Sequence, residues 1–376
     1  MNPEEIFGKN YQEFEEVDPY NLQNLVKGFI SHNSNEYYGT LIITHINNIE
    51  VTPQLIMGTP KMHYPFDSRE DGTRNYKFPV VKDIEIYEKL DGTNILAYRY
   101  NDGIRDYFSY KTRLTPFVKS GRFGDFYSMW NEVASKYFDN IKKVMNYTNC
   151  NLSFELYGAR NPHLLAYDNS LDFILLFAIG TDGHIFSPKR LNASQIIDFP
   201  NLFPMKIIDK DYVLNYEELQ KELQDKLIKT EGDYYKGMEG TVWYLHTLNG
   251  RCIQLKCKPE TIEAIHFSAG KGISKNVILA TCWNALENTD NLTVDFIKQL
   301  LQEEFKPEVV EANHYLIESC IEIVTKEMIF KTEVLNKYKS TGKNILLEKR
   351  EVMRELSQYF PKDKMKRVYS YIAEGI

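Results

Sequence analysis

The sequence lacks several features that would assign it to familiar protein classes. No apolar run approaches the length that crosses a bilayer, and residues 1–5 are acidic where a signal peptide would be basic. The five cysteines are an odd number without a C-x-x-C pair, which argues against a disulfide framework and against a zinc site. We therefore expect a cytoplasmic protein with reduced thiols and no membrane partner.

Further absences narrow the kinds of active site and binding partner that we expect. The eight histidines form no H-x-x-x-H pair, so neither a zinc set nor a triad base is expected, and no Walker-type glycine loop is found. Cations are fewer than acids, with a formal net charge of −7, which is unfavourable for contact with nucleic acid. However, residues 326–376 contain 12 Lys and Arg against 7 Asp and Glu, which indicates either a basic binding face or a solvated helical surface.

The length of 376 residues predicts a main domain with at least one appendage. Residues 1–66 are predicted to form a small N-terminal module continuous with the core, with helical turns through Phe29 and strands at 37–43 and 54–57. Residues 67–77 are polar and rich in turn formers, which predicts an exposed loop.

Residues 67–260 are dominated by β-type segments and are predicted to form the main domain. Asn101-Asp102-Gly103 and Thr181-Asp182-Gly183 have the composition of hairpin turns, which predicts antiparallel strands. Helical patterns at about 124–146 and 215–230 complete an α+β domain with helices packed on sheet.

Strand signals nearly vanish after residue 260. We therefore predict a helical C-terminal domain over 261–376, with a hinge near 260–273. Helical periodicity is present at 260–266, 274–286, 294–305, 307–338 and 345–359.

The tetrapeptide Lys89-Leu90-Asp91-Gly92 follows the apolar stretch 84–87 and places a lysine beside a tight turn, where the amine can act as a nucleophile. A K-x-D-G pattern is expected by chance in roughly one chain in ten of this length. Its weight comes from an ordered set downstream: Lys111-Thr112-Arg113, Phe154-Glu155-Leu156-Tyr157-Gly158, Leu175-Leu176-Phe177, Met238-Glu239-Gly240-Thr241-Val242 and Lys256-Cys257-Lys258.

Strand alternation assigns faces to two of these motifs. Lys256 and Lys258 point to one face while Cys257 points to the core, so the two ammonium groups can clamp a phosphate. Glu155 likewise points away from Phe154, as an acceptor facing a pocket would. Solvated lysines and exposed strand glutamates would give the same spacing.

This ordered set, over about 55–260, resembles the covalent nucleotidyltransferases, which comprise polynucleotide ligases and mRNA capping enzymes, and is most similar to ATP-dependent RNA ligases. The resemblance implies an antiparallel-sheet nucleotidyltransferase core, ATP-grasp-like, that carries out adenylation. DNA ligases and capping enzymes append an OB domain after the last lysine motif. Here the chain turns helical instead, so no OB domain is expected.

The resemblance also implies roles for individual residues. Lys89 becomes bonded to AMP, Lys256 and Lys258 act on the phosphates, and Glu239 holds a catalytic metal, Mg²⁺ or Mn²⁺. The implied nucleotide contacts are the backbone of Glu88 at the adenine edge, Asp91 and Gly92 at the turn, Glu155 at the ribose, Phe177 stacked on adenine, Lys61 at the triphosphate, and Lys111 and Arg113 at phosphate or the RNA end.

The implied activity is ATP-dependent sealing of an RNA 5′-phosphate to a 3′-hydroxyl, as in RNA repair or RNA processing. The long C-terminal helices are candidates for pairing in a homodimer. A capping-type guanylyltransferase, a DNA ligase and an inactive RNA-binding relative are the alternatives. For Lys89 the alternative is a surface lysine before a hairpin, and for Phe177 it is core packing.

Overall fold

The computed structural model of the protein describes residues 1–68, 73–119, 125–161, 163–230, 234–266, 273, 275–302, 305 and 307–374. The chain divides into two compact units. The sheet unit comprises residues 1–120 and 126–264, and the helical unit comprises residues 121–125 and 265–376.

The sheet unit begins with a short helix and a four-stranded antiparallel sheet. Helix α1 (Pro3–Phe7) precedes strands β1 (Tyr11–Val17), β2 (Leu25–Ser31), β3 (Leu41–Ile46) and β4 (Ile49–Ile56), which pair in chain order. The helical turns predicted through Phe29 are wrong after Phe7, because alternate residues of β2 are buried. A Cβ on Gly28 would lie 2.0 Å from the carbonyl oxygen of Ile42, so glycine permits the close pairing of β2 with β3.

The predicted loop at 67–77 contains a short hairpin. Its strands are β5 (Phe66–Ser68) and β6 (Arg74–Tyr76), which pair antiparallel. Residues 69–72 of the predicted loop lie outside the described residues.

Two larger sheets form the body of the sheet unit. In chain order the strands are β7 (Val81–Lys89), β8 (Thr93–Asn101), β9 (Asp106–Lys111), β10 (Cys150–Tyr157), β11 (Asp172–Gly180), β12 (Ile185–Phe186), β13 (Lys206–Ile208), β14 (Ile228–Lys229), β15 (Tyr235–Lys236), β16 (Gly240–Thr247) and β17 (Cys252–Cys257). The strands β14 and β15 form a separate hairpin. The five-stranded sheet has the order β12-β11-β10-β8-β9, and the four-stranded sheet has the order β13-β7-β16-β17.

The prediction of a mixed α and β fold with antiparallel sheets is confirmed. The pairings within both sheets are antiparallel. The predicted hairpin turns connect β8 to β9 and β11 to β12, and their glycines, Gly103 and Gly183, have positive φ values of 92° and 79°.

Three helices cover the outer faces of these sheets. Helices α2 (Phe126–Ala134) and α3 (Phe138–Thr148) place Trp130 and Val144 in one apolar cluster with Phe154 of the five-stranded sheet. Helix α4 (Tyr212–Lys226) packs Tyr216 against Trp243 of the four-stranded sheet.

The inner faces of the two sheets pack against each other. Tyr87 and Val242 from the four-stranded sheet share a buried cluster with Leu96 and Phe177 from the five-stranded sheet. Burial of each such side chain contributes roughly 1.5–3 kcal/mol. Because side chains alternate along a strand, Lys89, two residues after Tyr87, points toward the space between the sheets.

The helical unit contains helices and, among its described residues, no strand. The division from the sheet unit falls within α5 (Glu260–His266), and the following helices are α6 (Lys275–Ala285), α7 (Val294–Gln302), α8 (Pro307–Ala312), α9 (His314–Thr341), α10 (Ile345–Leu356) and α11 (Met365–Glu374). The helix predicted at 307–338 is two helices that meet at Asn313, and α11 was not predicted. Among the described residues, none of the helices has both the length and the apolar character that crossing a membrane requires.

Candidate active site

A buried carboxylate joins two lysines at the end of strand β7. Lys89 is the last residue of β7, and Lys258 directly follows β17. Nζ of Lys89 lies 2.5 Å from Oε2 of Glu239, and Nζ of Lys258 lies 2.7 Å from Oε1 of the same carboxylate. Gly240 pairs with Lys89, and a Cβ there would lie 2.2 Å from the Cys257 carbonyl oxygen. Glycine thus allows the close strand pairing that brings the three charged side chains together.

The electrostatics of this group keep Glu239 ionised. The residue is 4% exposed, and burial acts to raise its pKa. The positive charges of Lys258 and Lys89 outweigh burial and lower the pKa of Glu239 to about 2. At neutral pH the carboxylate is therefore an anion shared by two ammonium groups, which is the state in which it can also bind a metal cation.

Lys256 and Lys258, the twin lysines, alternate with Cys257 along β17 and the residue that follows it. Lys256 pairs with Val242, whose side chain faces the space between the sheets, while Cys257 is fully buried in the cluster under α4. Nζ of Lys256 lies 4.4 Å from the centroid of the Tyr64 ring, and its backbone N–H donates to the carbonyl of His63 at 3.0 Å. Residues 63–64 are thereby joined to the strand that carries the lysines.

Asp91, predicted to lie at the turn, anchors a loop. Its Oδ2 accepts hydrogen bonds from the backbone N–H groups of Leu164 and Leu165 at 2.5 and 2.7 Å. Its own N–H donates to the hydroxyl of Tyr167 at 2.8 Å. The carboxylate therefore holds the segment at 164–165 beside the turn.

Glu88 and Gly92 lie on either side of the β7–β8 turn, as the sequence placed them. The pairing of β13 with β7 ends at Ile86, so the backbone of Glu88 lies beyond that ladder. Burial raises the pKa of the Glu88 carboxyl. A Cβ on Gly92 would lie 2.3 Å from the carbonyl oxygen of Leu156, so only glycine allows the chain to pass there.

Glu155 belongs to a polar group on the inner face of the five-stranded sheet. Phe154 points the other way, into the apolar cluster under α2 and α3, as predicted. Asn94 pairs with Glu155, and its amide donates to Ser153 Oγ at 2.9 Å while Thr59 Oγ1 donates to its oxygen at 2.8 Å. The sequence analysis did not identify Thr59, Asn94 and Ser153, although Asn94 and Ser153 are polar residues within apolar strands, which is a signal for a site.

Lys61 and Arg113 are brought to the same aromatic ring. Nζ of Lys61 and Cζ of Arg113 each lie 5.7 Å from the centroid of the buried Tyr38. Gly39 has a φ of 70°, and a Cβ there would lie 2.0 Å from the carbonyl oxygen of Arg113. Two residues predicted to bind phosphate or the RNA end thus contact the same ring.

Lys111 departs from its prediction. The residue is 1% exposed, and its Nζ donates to the backbone carbonyls of Thr112 and Arg113, both at 2.8 Å. Burial and the positive charge of Arg113 lower the pKa of Lys111 to about 7. The ammonium group is committed to the turn after β9, so direct contact with phosphate or an RNA end is not supported.

Phe177 lies where the core-packing alternative placed it. The ring is buried between the two sheets in the cluster that contains Tyr87, Leu96, Val242 and Tyr244. Core packing therefore accounts for the position of Phe177, and its stacking on an adenine stays a prediction.

A second charged cluster, unforeseen from the sequence, lies toward the start of β7. Ligand atoms of Asp83, Glu85 and His246 lie within 4.8 Å of one another, as in a metal site. Nε of Arg190 lies 2.8 Å from Glu85 Oε1, the same guanidinium contacts Asp83, and Ser187 Oγ donates to Glu85 Oε2 at 2.5 Å. An internal guanidinium therefore already neutralises the carboxylates.

Comparisons with known proteins found similarity to solved structures. No protein family model and no curated protein matches the sequence. An apo mutant of a Naegleria gruberi RNA ligase is 14% identical and has a TM-score of 0.34, with 49% of this chain and 51% of that chain covered, so this chain spans about half of that structure.

Two further structures of the Naegleria ligase are similar over more of the chain. A mutant with ATP and Mn is 10% identical, with 68% of this chain and 98% of that chain covered and a TM-score of 0.36. The ligase with PPi is 10% identical, with 69% and 98% covered and a TM-score of 0.34. With TM-scores below 0.5, these likenesses leave the function to be argued from the site itself.

Proposed function

We propose that the protein is an ATP-dependent RNA ligase that works through a covalent lysine–AMP intermediate on Lys89. The observation that carries the proposal is the bridging of Glu239 by Lys89 and Lys258 at the end of the space between two antiparallel sheets. A lysine nucleophile needs an adjacent group that holds it and further cations that receive phosphate. This site supplies both.

In the first step the Lys89 ammonium group loses one proton to solvent, and its neutral amine forms a bond to the α-phosphorus of ATP. The bond from that phosphorus to the bridging oxygen breaks, pyrophosphate leaves, and the nitrogen loses a second proton to solvent to give a phosphoramidate. Because such transfers gain most from positioning and charge neutralisation, Lys256 and Lys258 are assigned to the phosphates. Lys61 and Arg113, gathered at Tyr38, are assigned to the triphosphate or the RNA end.

The remaining contacts follow from the faces of the strands. Glu155 on the inner face of β10 is assigned to the ribose, and the backbone of Glu88 beyond the β13 ladder is assigned to the adenine edge. Gly92 lets the chain turn closely there. Asp91 acts through the loop that it anchors.

A divalent cation, Mg²⁺ or Mn²⁺, fits the donor set at Glu239. Such ions are commonly held by one or two carboxylates together with phosphate oxygens, and Glu239 is an ionised carboxylate whose oxygens already bind positive charge. When bound, the ion would neutralise charge on the phosphates. Lys89, once neutral, would release Oε2 of Glu239 for it.

Two further transfers complete the proposed reaction. An oxygen of the RNA 5′-phosphate attacks the AMP phosphorus, the P–N bond breaks, and Lys89 regains its protons. A 3′-hydroxyl then attacks the RNA 5′-phosphate, AMP leaves, and the strand is sealed. Such an activity would serve RNA repair or RNA processing.

The test uses the purified full chain with Mg²⁺ and nucleotides labelled at the α-phosphate. We expect label from ATP to become protein-bound and then to pass to 5′-phosphorylated RNA in preference to DNA of the same sequence. Labelling by GTP alone would favour the capping-type guanylyltransferase, and preference for DNA would favour the DNA ligase. No adduct with either nucleotide would contradict the proposal and favour an inactive RNA-binding relative.

A further inference from the structure

One face of helix α4 is bonded to the chain segment that carries the twin lysines. The hydroxyl of Tyr216 donates to the backbone carbonyl of Lys256 at 3.2 Å, and Nε2 of Gln220 donates to the carbonyl of Lys258 at 2.8 Å. Four residues, as from Tyr216 to Gln220, rise about 6 Å along a helix, and two residues, as from Lys256 to Lys258, rise about 6.6 Å along a strand. The two spacings nearly match, so both hydrogen bonds can form side by side.

The same face continues past the strand. Gln224, one turn beyond Gln220, accepts a hydrogen bond at Oε1 from the backbone N–H of Thr261 at 2.8 Å. Gln220 and Gln224 thus make comparable bonds to the main chain on either side of residue 259. They differ in that only Gln220 bonds to a lysine of the site.

The amide of Gln220 is fixed in one orientation by its neighbours. The residue is 3% exposed, its Oε1 accepts from Arg74, and its Nε2 also donates to Oε2 of Glu263 at 2.6 Å. Nη2 of Arg74 donates to Oε1 of Glu263 at 2.8 Å, which completes a closed set of hydrogen bonds among these three side chains. Because a guanidinium only donates and ionised carboxylates and carbonyls only accept, the amide cannot be flipped without losing partners.

Lys258 is the first residue after the end of its strand. The pairing of β17 with β16 ends at Cys257, and the carbonyl of Lys258 accepts the hydrogen bond from Gln220. Nζ of Lys258 lies 2.7 Å from Oε1 of Glu239. Gln220 therefore contacts the backbone of the residue whose side chain contacts Glu239.

We propose that Gln220, oriented by Arg74 and Glu263, is a positioning residue that holds Lys258 against Glu239 and the phosphates. The catalytic part of this inference rests on the proposed function. The positional part concerns the folded protein alone.

The variant Gln220→Met keeps the length and apolar volume of the side chain and removes its amide. A misplacement of about 1 Å can slow a reaction on the order of 100-fold. We expect lysine adenylation at saturating ATP to slow about 10- to 100-fold, with the KM for ATP changed less than about threefold, because other groups bind the ground-state nucleotide. A merely structural defect would lower the amount of adenylate formed in a single turnover and leave the rate constant of its formation unchanged.

Gln224→Met is the matched control. It makes the same chemical change one turn further along the same helix face and likewise removes a partner of a backbone group. We expect an adenylation rate within about twofold of the unmodified protein and a shift in melting temperature similar to that of Gln220→Met.

A second measurement does not depend on activity. Crystal structures of both variants should show the Lys258 Nζ to Glu239 Oε1 contact broken in Gln220→Met and kept at about its 2.7 Å distance in Gln224→Met. An intact contact in both variants, or equal adenylation rates in both, would overturn the inference. If the unmodified protein forms no lysine adenylate, the proposed function fails, while the crystal distances still decide the role of Gln220.

Discussion

Strand β7 carries a charged cluster toward each of its ends, and the two clusters hold their carboxylates differently. At the end of the strand, two ammonium groups, from Lys89 and Lys258, share Glu239. Toward its start, Glu85 receives hydrogen bonds from three side chains, Arg190, Ser187 and Tyr87. Burial opposes ionisation of both carboxylates, yet the pKa of each is lowered by its neighbours.

The two clusters differ in whether their hydrogen-bond donors can change partner. Lysine ammonium groups are point charges on flexible stems, so they can change partner when a phosphate arrives, whereas a guanidinium makes a fixed fork. Arg190 contacts both Asp83 and Glu85. We infer that the cluster around Glu239 exchanges partners during the reaction and that the cluster around Glu85 serves the fold.

The largest expected effect is that of Lys89→Ala, which removes the nucleophile from the exchanging cluster. Transfer of label from ATP to the protein should fall below detection, because the proposed nucleophile is gone. Lys82→Ala is the control, since Lys82 is an exposed residue of the same strand. Labelling that survives in Lys89→Ala would assign the nucleophile elsewhere.

Glu85→Ala should break the structural cluster. Glu85 is 0% exposed, and its loss leaves Arg190 beside a single carboxylate. It also leaves the hydroxyls of Ser187 and Tyr87 without their acceptor. An unsatisfied buried polar group costs about 1–3 kcal/mol, so the free energy of unfolding measured with urea should fall by about that amount. A loss below about 1 kcal/mol would show that this cluster does not serve the fold as inferred.

Glu239→Gln should affect the reaction more than the fold. The neutral amide keeps the shape but leaves two ammonium groups without their shared anion and weakens the binding of a divalent cation. Formation of the lysine adenylate should slow about 100-fold, the usual effect of losing one preorganised electrostatic contact. A single-turnover rate equal to that of the unmodified protein would remove Glu239 from the mechanism.

Lys111 extends the comparison to a buried lysine whose hydrogen-bond partners are backbone carbonyls instead of a carboxylate. Its pKa is lowered to about 7 in the folded protein, while the unfolded chain titrates near about 10.4. Between these values the unfolded state binds more protons, so stability rises with pH, by at most about 1.4 kcal/mol per pH unit.

The matching variant, Lys111→Met, lacks this titration. The free energy of unfolding of the unmodified protein, relative to that of Lys111→Met, should therefore increase from pH 7 to pH 10. A difference that stays constant over this range would mean that Lys111 is not held in an environment that disfavours its charge.

The sequence supported those parts of the site that depend on local spacing. Alternation along β17 predicted the faces of Lys256, Lys258 and Cys257, and the turn composition at Gly103 predicted an antiparallel hairpin. The pattern before Phe29 predicted helical turns, whereas β2 is held as a strand by its pairing with β1 and β3, which local spacing does not reveal.

Contacts between distant residues were beyond the sequence. The pair Lys89–Glu239 joins positions 150 residues apart, and Arg74–Glu263 joins positions 189 residues apart. The burial of Lys111 and the orientation of the Gln220 amide depend on such contacts. Motif order indicated that Lys89 and Glu239 belong to one site, but not that Lys258 shares the same carboxylate.

Mass spectrometry of the protein after incubation with ATP and Mg²⁺ tests the central claim most directly. The account predicts that one peptide gains the mass of AMP, that the modification maps to Lys89, and that its bond is acid-labile as a phosphoramidate is. AMP found on a different residue, or its absence from a correctly folded protein, would contradict the account.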